Sequence, residues 1–335
     1  MQAIVIHQSG GPEVLRLEEM VTPEPGAGEV VVALRAAALN RRDILVRTQP
    51  EFVASMPLVP GSDGAGTVTA VGAGVTAVRE GDEVVICPSL WWGPDDIYPS
   101  SRFEILGGPS HGTYAQFVRL PAENVFAKPE HLTYEEAAAF PLAGLTAWRA
   151  LITKARVKPG ERVFIPGAGS GVATFLVQIA RLAGARVFVT SGSAHKLEAA
   201  QKLGAEGGVL YTEFDWPERI RTLSGGGVEV AVDSVGSASF EACLQLLTPG
   251  GRMVTFGATT GVDTHLDIRQ FYRRQLSLLG TTMGSLKEFR ELMAVIHAGG
   301  IRPVIDRTFP LAEAAAAHRR MEQYENFGKI VLLVA

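Results

Sequence analysis

The stretch from Arg162 to Thr190 constrains the fold of this 335-residue chain more than any other feature. Arg162 to Pro166 is a short apolar run, and Gly167-Ala168-Gly169-Ser170-Gly171 follows it without a spacer. Val172 to Leu182 then has helical period, and Arg186 to Thr190 is apolar again. Parallel strands need a crossover, usually a helix, so strand, glycine turn, helix and strand in that order open a doubly wound sheet. The rhythm continues through helix Ala194 to Leu203, strands Gly208 to Tyr211 and Val228 to Asp233, helix Phe240 to Leu247 and strand Arg252 to Phe256. Leu276 to Leu279 is a last strand before helix Leu286 to His297. An α/β fold built on a Rossmann sheet is predicted for this region.

The first 125 or so residues read differently, as short strands broken by Gly and Pro: Ala3 to Ile6, Val30 to Leu34, Thr67 to Val71 and Glu83 to Ile86. Such punctuation predicts a β-rich domain. The tail, Lys329 to Val334, is a strand that comes after the parallel sheet is complete, so it is predicted to return to the β-rich domain. The expected division is 1–126 with 284–335, and 127–283 between them; a chain of this length exceeds one core.

A net charge of -4 and a pI near 6.0 leave no basic field for nucleic acid or anionic lipid. The pairs Arg41-Arg42 and Arg273-Arg274 are read as solvated faces. Cys87 and Cys243 are too few for a disulfide framework, which fits a reducing cytoplasm. No window approaches the roughly 20 apolar residues that span a bilayer, and the N-terminus reads as a first strand and not as a leader.

Gly167, Ala168, Gly169, Ser170, Gly171 and Val172 lie where a pyrophosphate must approach backbone amides at a helix start. After the second strand a carboxylate would select the free ribose hydroxyls of NAD. This chain has Ser191-Gly192-Ser193 and Lys196 instead, which suit a 2′-phosphate, so NADP(H) is the expected cofactor. The alternative for Lys196 is a plain solvated residue in a helix's first turn. Ser234, Val235, Phe256, Gly257 and Thr281 follow later strands and are candidate cofactor contacts, although their glycines serve equally as turn residues.

Several motifs together give the chain a family resemblance. They are Gly11-Pro12-Glu13-Val14-Leu15, Ala38-Leu39-Asn40-Arg41-Arg42-Asp43, Pro60-Gly61-Ser62-Asp63-Gly64-Ala65-Gly66, His111-Gly112-Thr113-Tyr114-Ala115, Glu135-Glu136-Ala137-Ala138-Ala139 and Leu145-Thr146-Ala147-Trp148. Over nearly its whole length the sequence resembles the medium-chain dehydrogenase/reductases, and within them the quinone oxidoreductases. The resemblance implies a GroES-like catalytic domain interrupted by the Rossmann domain. Zinc-dependent members carry Cys, His-Glu and Cys as catalytic ligands, and the matching positions here are Asn40, Ser62-Asp63 and Leu142. No metal is expected from that set. The family's structural-zinc lobe, 88–108 here, follows a single cysteine, Cys87; it is aromatic, and either aromatic packing or an ordinary surface loop accounts for it.

Without a Lewis acid, acceptors that delocalise charge are the easier substrates, so a quinone or an α,β-unsaturated carbonyl is expected. By resemblance Asn40 donates to the acceptor's carbonyl, Asp63 orders the pocket and Thr146 packs near the nicotinamide. Asn326-Phe327-Gly328-Lys329 resembles a closing motif near the cofactor, which makes Lys329 a cofactor residue. Leu45 departs from the tyrosine common in quinone oxidoreductases. Each has a structural alternative: Asn40 in a turn, Asp43 paired with an arginine, His111 within the core. A homodimer through the strand near Leu276 to Leu279 is implied. Two rivals remain: a zinc-type alcohol dehydrogenase relative, and an NADPH-binding protein of structural or regulatory use.

Overall fold

The computed structural model describes residues 1–49, 51 and 55–334; Ala335, the last residue of the expected β-rich domain, lies outside them. The chain divides into two compact units, Met1–Leu145 with Gly284–Ala335, and Thr146–Met283.

The second unit is a six-stranded sheet in the spatial order Gly207–Leu210, Arg186–Ser191, Arg162–Ile165, Val228–Asp233, Leu247–Thr255, Ser277–Gly280. Every pair is parallel. Counted in chain order this is 3-2-1-4-5-6, the Rossmann order. Val163 to Ile165, Val187 to Val189 and Val230 to Val232 are buried throughout, as central parallel strands covered on both faces must be. Helix Gly171–Leu182 starts at Ser170, whose Oγ accepts the Ala173 N–H at 3.1 Å. Helices Arg149–Ala155, Trp216–Leu223 and Ile268–Arg273 of this unit escaped the sequence reading. The last two are short and meet the core with few side chains: Trp216, stacked on Phe164, and Ile220 from the one, Phe271 from the other.

The first unit is built on a mostly antiparallel seven-stranded sheet. Its main path runs Ile305–Pro310, Lys329–Leu333, Glu29–Ala38, Asp63–Val71, Glu83–Ile86, Val125–Ala127, and Phe117–Pro121 also pairs with Glu29–Ala38. The C-terminal strand thus returns to the β-rich unit. At the end of Glu29–Ala38, Ala38 stands opposite Asp63 on one neighbour and Val331 on the other, and Leu39 N–H donates to Ile330 O at 2.9 Å. This register delivers Asn40, Asp63 and Lys329 to one place.

The boundary expected at residue 126 is corrected to 145. Ala137, Ala138 and Ala139, at the end of helix Tyr134–Ala138, pack on Ala36, Ala38, Ala65 and Val331 of the first unit's sheet. Side chains this small let helix and sheet approach closely, and that seam holds 127–145 to the β-rich unit. No described helix is long and apolar enough to cross a membrane.

Helix Leu286–His297 is held to the same unit by Phe289, which meets Phe126 edge-on at 4.9 Å and stacks with Phe140 at 6.0 Å. Phe289 is fully buried. Phe289→Ala should destabilise the protein by about 3–5 kcal/mol, measured as a fall in the urea midpoint at unchanged slope; an unaltered midpoint would contradict this packing.

Candidate active site

In the second unit, the candidate cofactor residues follow the carboxyl ends of the sheet strands, where strand order reverses between Arg162–Ile165 and Val228–Asp233. Gly167 has φ of 73°, a conformation side chains resist, and a Cβ there would stand 3.5 Å from Val235 Cγ2 of the neighbouring loop. The turn is tied to the second strand: Gly167 N–H donates to Thr190 Oγ1 at 3.3 Å and Ala168 N–H to Thr190 O at 2.8 Å. The run from Gly167 to Val172 therefore lies at a helix start with first-turn amides left over, the site a pyrophosphate fits.

Ser191 is buried, and its Oγ accepts Ser193 N–H at 3.4 Å. Tyr211, half-exposed and passed over in the sequence, lies against Gly192 so closely that a side chain at 192 would collide with its hydroxyl. Ser191 pairs in parallel with Leu210, so Tyr211 follows the neighbouring strand end, while Ser193 precedes helix Ala194–Leu203 and Lys196 lies in its first turn. Asp233 fixes the next loop by accepting from Val235 N–H (3.1 Å), Gly236 N–H (3.0 Å) and Ser239 Oγ (2.6 Å). The loop carrying Phe256 and Gly257 is bound to that of Ser234 and Val235 through Phe256 N–H to Asp233 O and Thr260 N–H to Val235 O. Thr281 Oγ1 accepts from Arg149 Nε at 3.1 Å, and Thr146 is buried on helix Pro141–Trp148.

In the first unit, Asn40, Asp63 and Lys329 form one buried polar corner. Lys329 Nζ donates to Asn40 Oδ1 at 2.6 Å and to Asp63 Oδ2 at 3.0 Å, and Asn40 Nδ2 donates to Asp63 Oδ2 at 2.9 Å. Asp63 Oδ1 accepts the Leu142 N–H at 2.8 Å. Lys329 is only 3% exposed and Asp63 is fully buried. Two expectations change here. Asn40 turns its amide to Asp63 and not outward as a donor, because a buried carboxylate is the stronger acceptor. Lys329, expected as a cofactor residue, pairs with Asp63 within the first unit and has a third N–H without a partner among the described residues.

Comparison with known proteins now decides the family. Residues 26–130 match the alcohol dehydrogenase GroES-like domain and residues 171–298 the domain described as zinc-binding dehydrogenase. The quinone oxidoreductase of Rattus norvegicus is 30% identical, over 100% of this chain and 98% of its own, and the 2-haloacrylate reductase of a Burkholderia species is 32% identical over 99% of each. The solved structure of an NAD-dependent alcohol dehydrogenase is 43% identical, covers 100% of both chains and superposes with a TM-score of 0.95. The chain belongs to the medium-chain dehydrogenase/reductase superfamily. It is an NAD(P)-dependent oxidoreductase of that superfamily.

Zinc, implied by part of this superfamily, does not fit the donor set. The four ligand positions hold a carboxamide, a hydroxyl, one carboxylate and the side chain of Leu142, which cannot ligate. The carboxamide and carboxylate oxygens already accept from an ammonium, and Ser62 Oγ accepts from Arg42 Nη1 at 2.9 Å. An added divalent ion would face two fixed positive groups. The lobe at 88–108 holds a small aromatic centre: Trp92 is 3% exposed, meets Phe103 edge-on at 5.1 Å and donates its indole N–H to Asp95 O at 2.8 Å. Ile97 and Tyr98 remain exposed.

Beneath the corner lies a second polar group whose members the sequence reading dismissed or did not single out. Asp43 Oδ2 accepts the Asn40 N–H and the Tyr114 hydroxyl, both at 2.8 Å, in place of the arginine pairing expected for it. The Tyr114 hydroxyl also lies 3.4 Å from His318 Nε2. Arg47 pairs with Glu322 beside them. Asp43 Oδ1 and His318 Nδ1 have no partner among the described residues. Burial pushes Asp43 up to about 6, against the pull of Arg42, and lowers His318 to about 3, so the imidazole is neutral. His111 is structural as expected, its Nδ1 accepting the Val59 N–H at 3.1 Å.

For Asp43 the folded value exceeds the ordinary carboxylate value, so its contribution to stability is present below about pH 4 and lost as pH rises through about 6. Asp43→Asn keeps a carbonyl acceptor but does not titrate. The stability of wild type relative to Asp43→Asn should therefore fall between about pH 4 and 6 and level off above about 7. Parallel pH curves from urea denaturation would contradict it.

Proposed function

We propose that this oxidoreductase uses NADPH to reduce a quinone or an α,β-unsaturated carbonyl compound without a metal ion. The observation that carries the reading is the Lys329 ammonium, fixed between Asn40 Oδ1 and Asp63 Oδ2 at the positions where zinc-dependent relatives carry ligands. The activities named for the rat quinone oxidoreductase and the Burkholderia reductase support it.

The cofactor, when bound, supplies a hydride. Gly167 to Val172 would hold its pyrophosphate, and Ser191, Ser193, Lys196 and Tyr211 its 2′-phosphate. Lys196 supplies positive charge and the hydroxyls supply donors, whereas a carboxylate there would repel the phosphate. In the first unit, two acceptors hold Lys329, and its third N–H has no partner among the described residues. That N–H, aimed at the acceptor's oxygen, would stabilise the charge that collects there as the π system is reduced. Asp63 keeps the ammonium in place, and Asn40 orients it. An ammonium gives less stabilisation than zinc, so acceptors that spread the new charge over a ring or an enolate are the ones it can serve. No single acid or base stands out in the corner among the described residues, so the proton for carbon would come from solvent.

Loss of NADPH absorbance with a panel of quinones and enones, run on chelator-dialysed protein, should show turnover that added zinc does not raise. No oxidation with any acceptor, or activity restored only by zinc, would overturn the reading. Lys196→Glu places negative charge beside the extra phosphate and should weaken NADPH about tenfold or more beyond any loss for NADH. Equal losses, measured by fluorescence titration of both cofactors, would remove Lys196 from the phosphate site.

A further inference from the structure

Arg42 belongs to a pair that reads as a solvated face, yet the structure half-buries it against the polar corner. Nη1 donates to Ser62 Oγ at 2.9 Å and Leu106 O at 3.3 Å, and Nη2 donates to Gly108 O at 3.1 Å. All three acceptors are neutral. Of the five guanidinium N–H groups, the Nε–H and one on Nη2 have no partner among the described residues.

A guanidinium withdrawn from water ordinarily has a carboxylate partner, because an uncompensated charge in a low dielectric is costly. Neither neighbouring carboxylate hydrogen-bonds it here; Asp43 and Asp63 attract the guanidinium only through space. Asp63 receives Lys329, Asn40 and the Leu142 amide; Asp43 receives the Asn40 amide and Tyr114. Among the described residues Arg42 forms no ion pair. It is the cation of this corner whose hydrogen bonds, among the described residues, reach no carboxylate. It is also bonded to Ser62, next in sequence to Asp63 and itself at one of the former ligand positions, so it stands beside the place proposed for the acceptor's oxygen.

We infer that Arg42 anchors an anionic substituent of the acceptor, and that the substrate class is a conjugated carbonyl compound that also carries a carboxylate. This rests on the reductase reading above. Three backbone and hydroxyl oxygens hold the guanidinium plane, so little side-chain freedom is lost on binding, and the planar fork matches a carboxylate. In the reaction the alkene gains hydride at its β carbon, its π electrons shift to the carbonyl oxygen, and a solvent proton completes the α carbon. The enone is reduced to the saturated ketone as NADPH is oxidised to NADP+. The carboxylate takes no part in bond changes. A neutral acceptor would leave the guanidinium desolvated and unpaired, which is the stronger source of discrimination.

The test compares trans-4-oxo-2-pentenoate with its methyl ester, two enones that differ in one charge. Wild type should favour the acid in kcat/KM by about tenfold or more. In Arg42→Gln that ratio should fall to about one, with the change in KM, and Arg42→Lys should keep part of it. Binding of 4-oxopentanoate and its methyl ester to the NADP+ complex, by calorimetry, reads the same contact without turnover. A ratio near one in wild type, or one unchanged in Arg42→Gln, overturns the inference. So does an NADPH affinity that falls in Arg42→Gln while the ratio holds, since the guanidinium would then serve a cofactor phosphate. If neither enone turns over but 4-oxopentanoate binds through Arg42, the reductase reading fails and the anion site stands.

Discussion

A carboxylate with no exposure to solvent must have its charge met from within the fold, and in this protein Asp63 sets that condition. Its partners come from residues 40, 142 and 329: the Asn40 amide, the Leu142 backbone N–H and the Lys329 ammonium. The C-terminal strand that carries Lys329 therefore belongs where it is found, beside Glu29–Ala38, since no other described cation pairs with Asp63. The helix Pro141–Trp148 is fixed through the same oxygen pair. One buried charge links three remote parts of the chain.

The same corner explains how a superfamily scaffold can dispense with an ion. Zinc brings concentrated positive charge and needs anionic or imidazole donors around it. Here three of the four donor positions are filled by groups that accept from cations belonging to the chain itself. On the proposed function the exchange narrows the chemistry, since an ammonium paired with a carboxylate is a weaker electrophile, to which conjugated acceptors would be matched. Lys329 and Arg42 differ in their direct contacts: one donates to a carboxylate of the protein, the other to neutral oxygens, with Asp43 and Asp63 acting on it through space.

Much of this was legible in the sequence where local chemistry and periodicity agreed. Helices Ala194–Leu203 and Leu286–His297 and strand Val228–Asp233 lie at the residues their patterns indicate. The glycine turn announced its site because only a strand and a helix on either side make sense of it. Asn40 and Asp63 could be named from their motifs. What could not be read was side-chain direction. Lys329 looked like a cofactor residue because its motif is defined by chain position, while its partner lies 266 residues away. Arg42 looked solvated because a charged pair at a helix start usually is. Tyr211 carried no signal, because its meaning depends on lying over Gly192 from the next strand. The boundary at 145 was missed because an alanine-rich helix announces no partner until the small residues of the facing sheet are known.

The central claim is that the Lys329 ammonium acts on the acceptor's oxygen and not on the cofactor. A double variant, Lys329→Met combined with Asp63→Asn, removes both members of the buried ion pair, so neither is left behind without the other. Its kcat for an enone should fall by about a hundredfold, on the order of 2–3 kcal/mol of lost stabilisation, with the NADPH dissociation constant close to wild type. A retained kcat together with a large loss of NADPH affinity would contradict the account and return Lys329 to the cofactor.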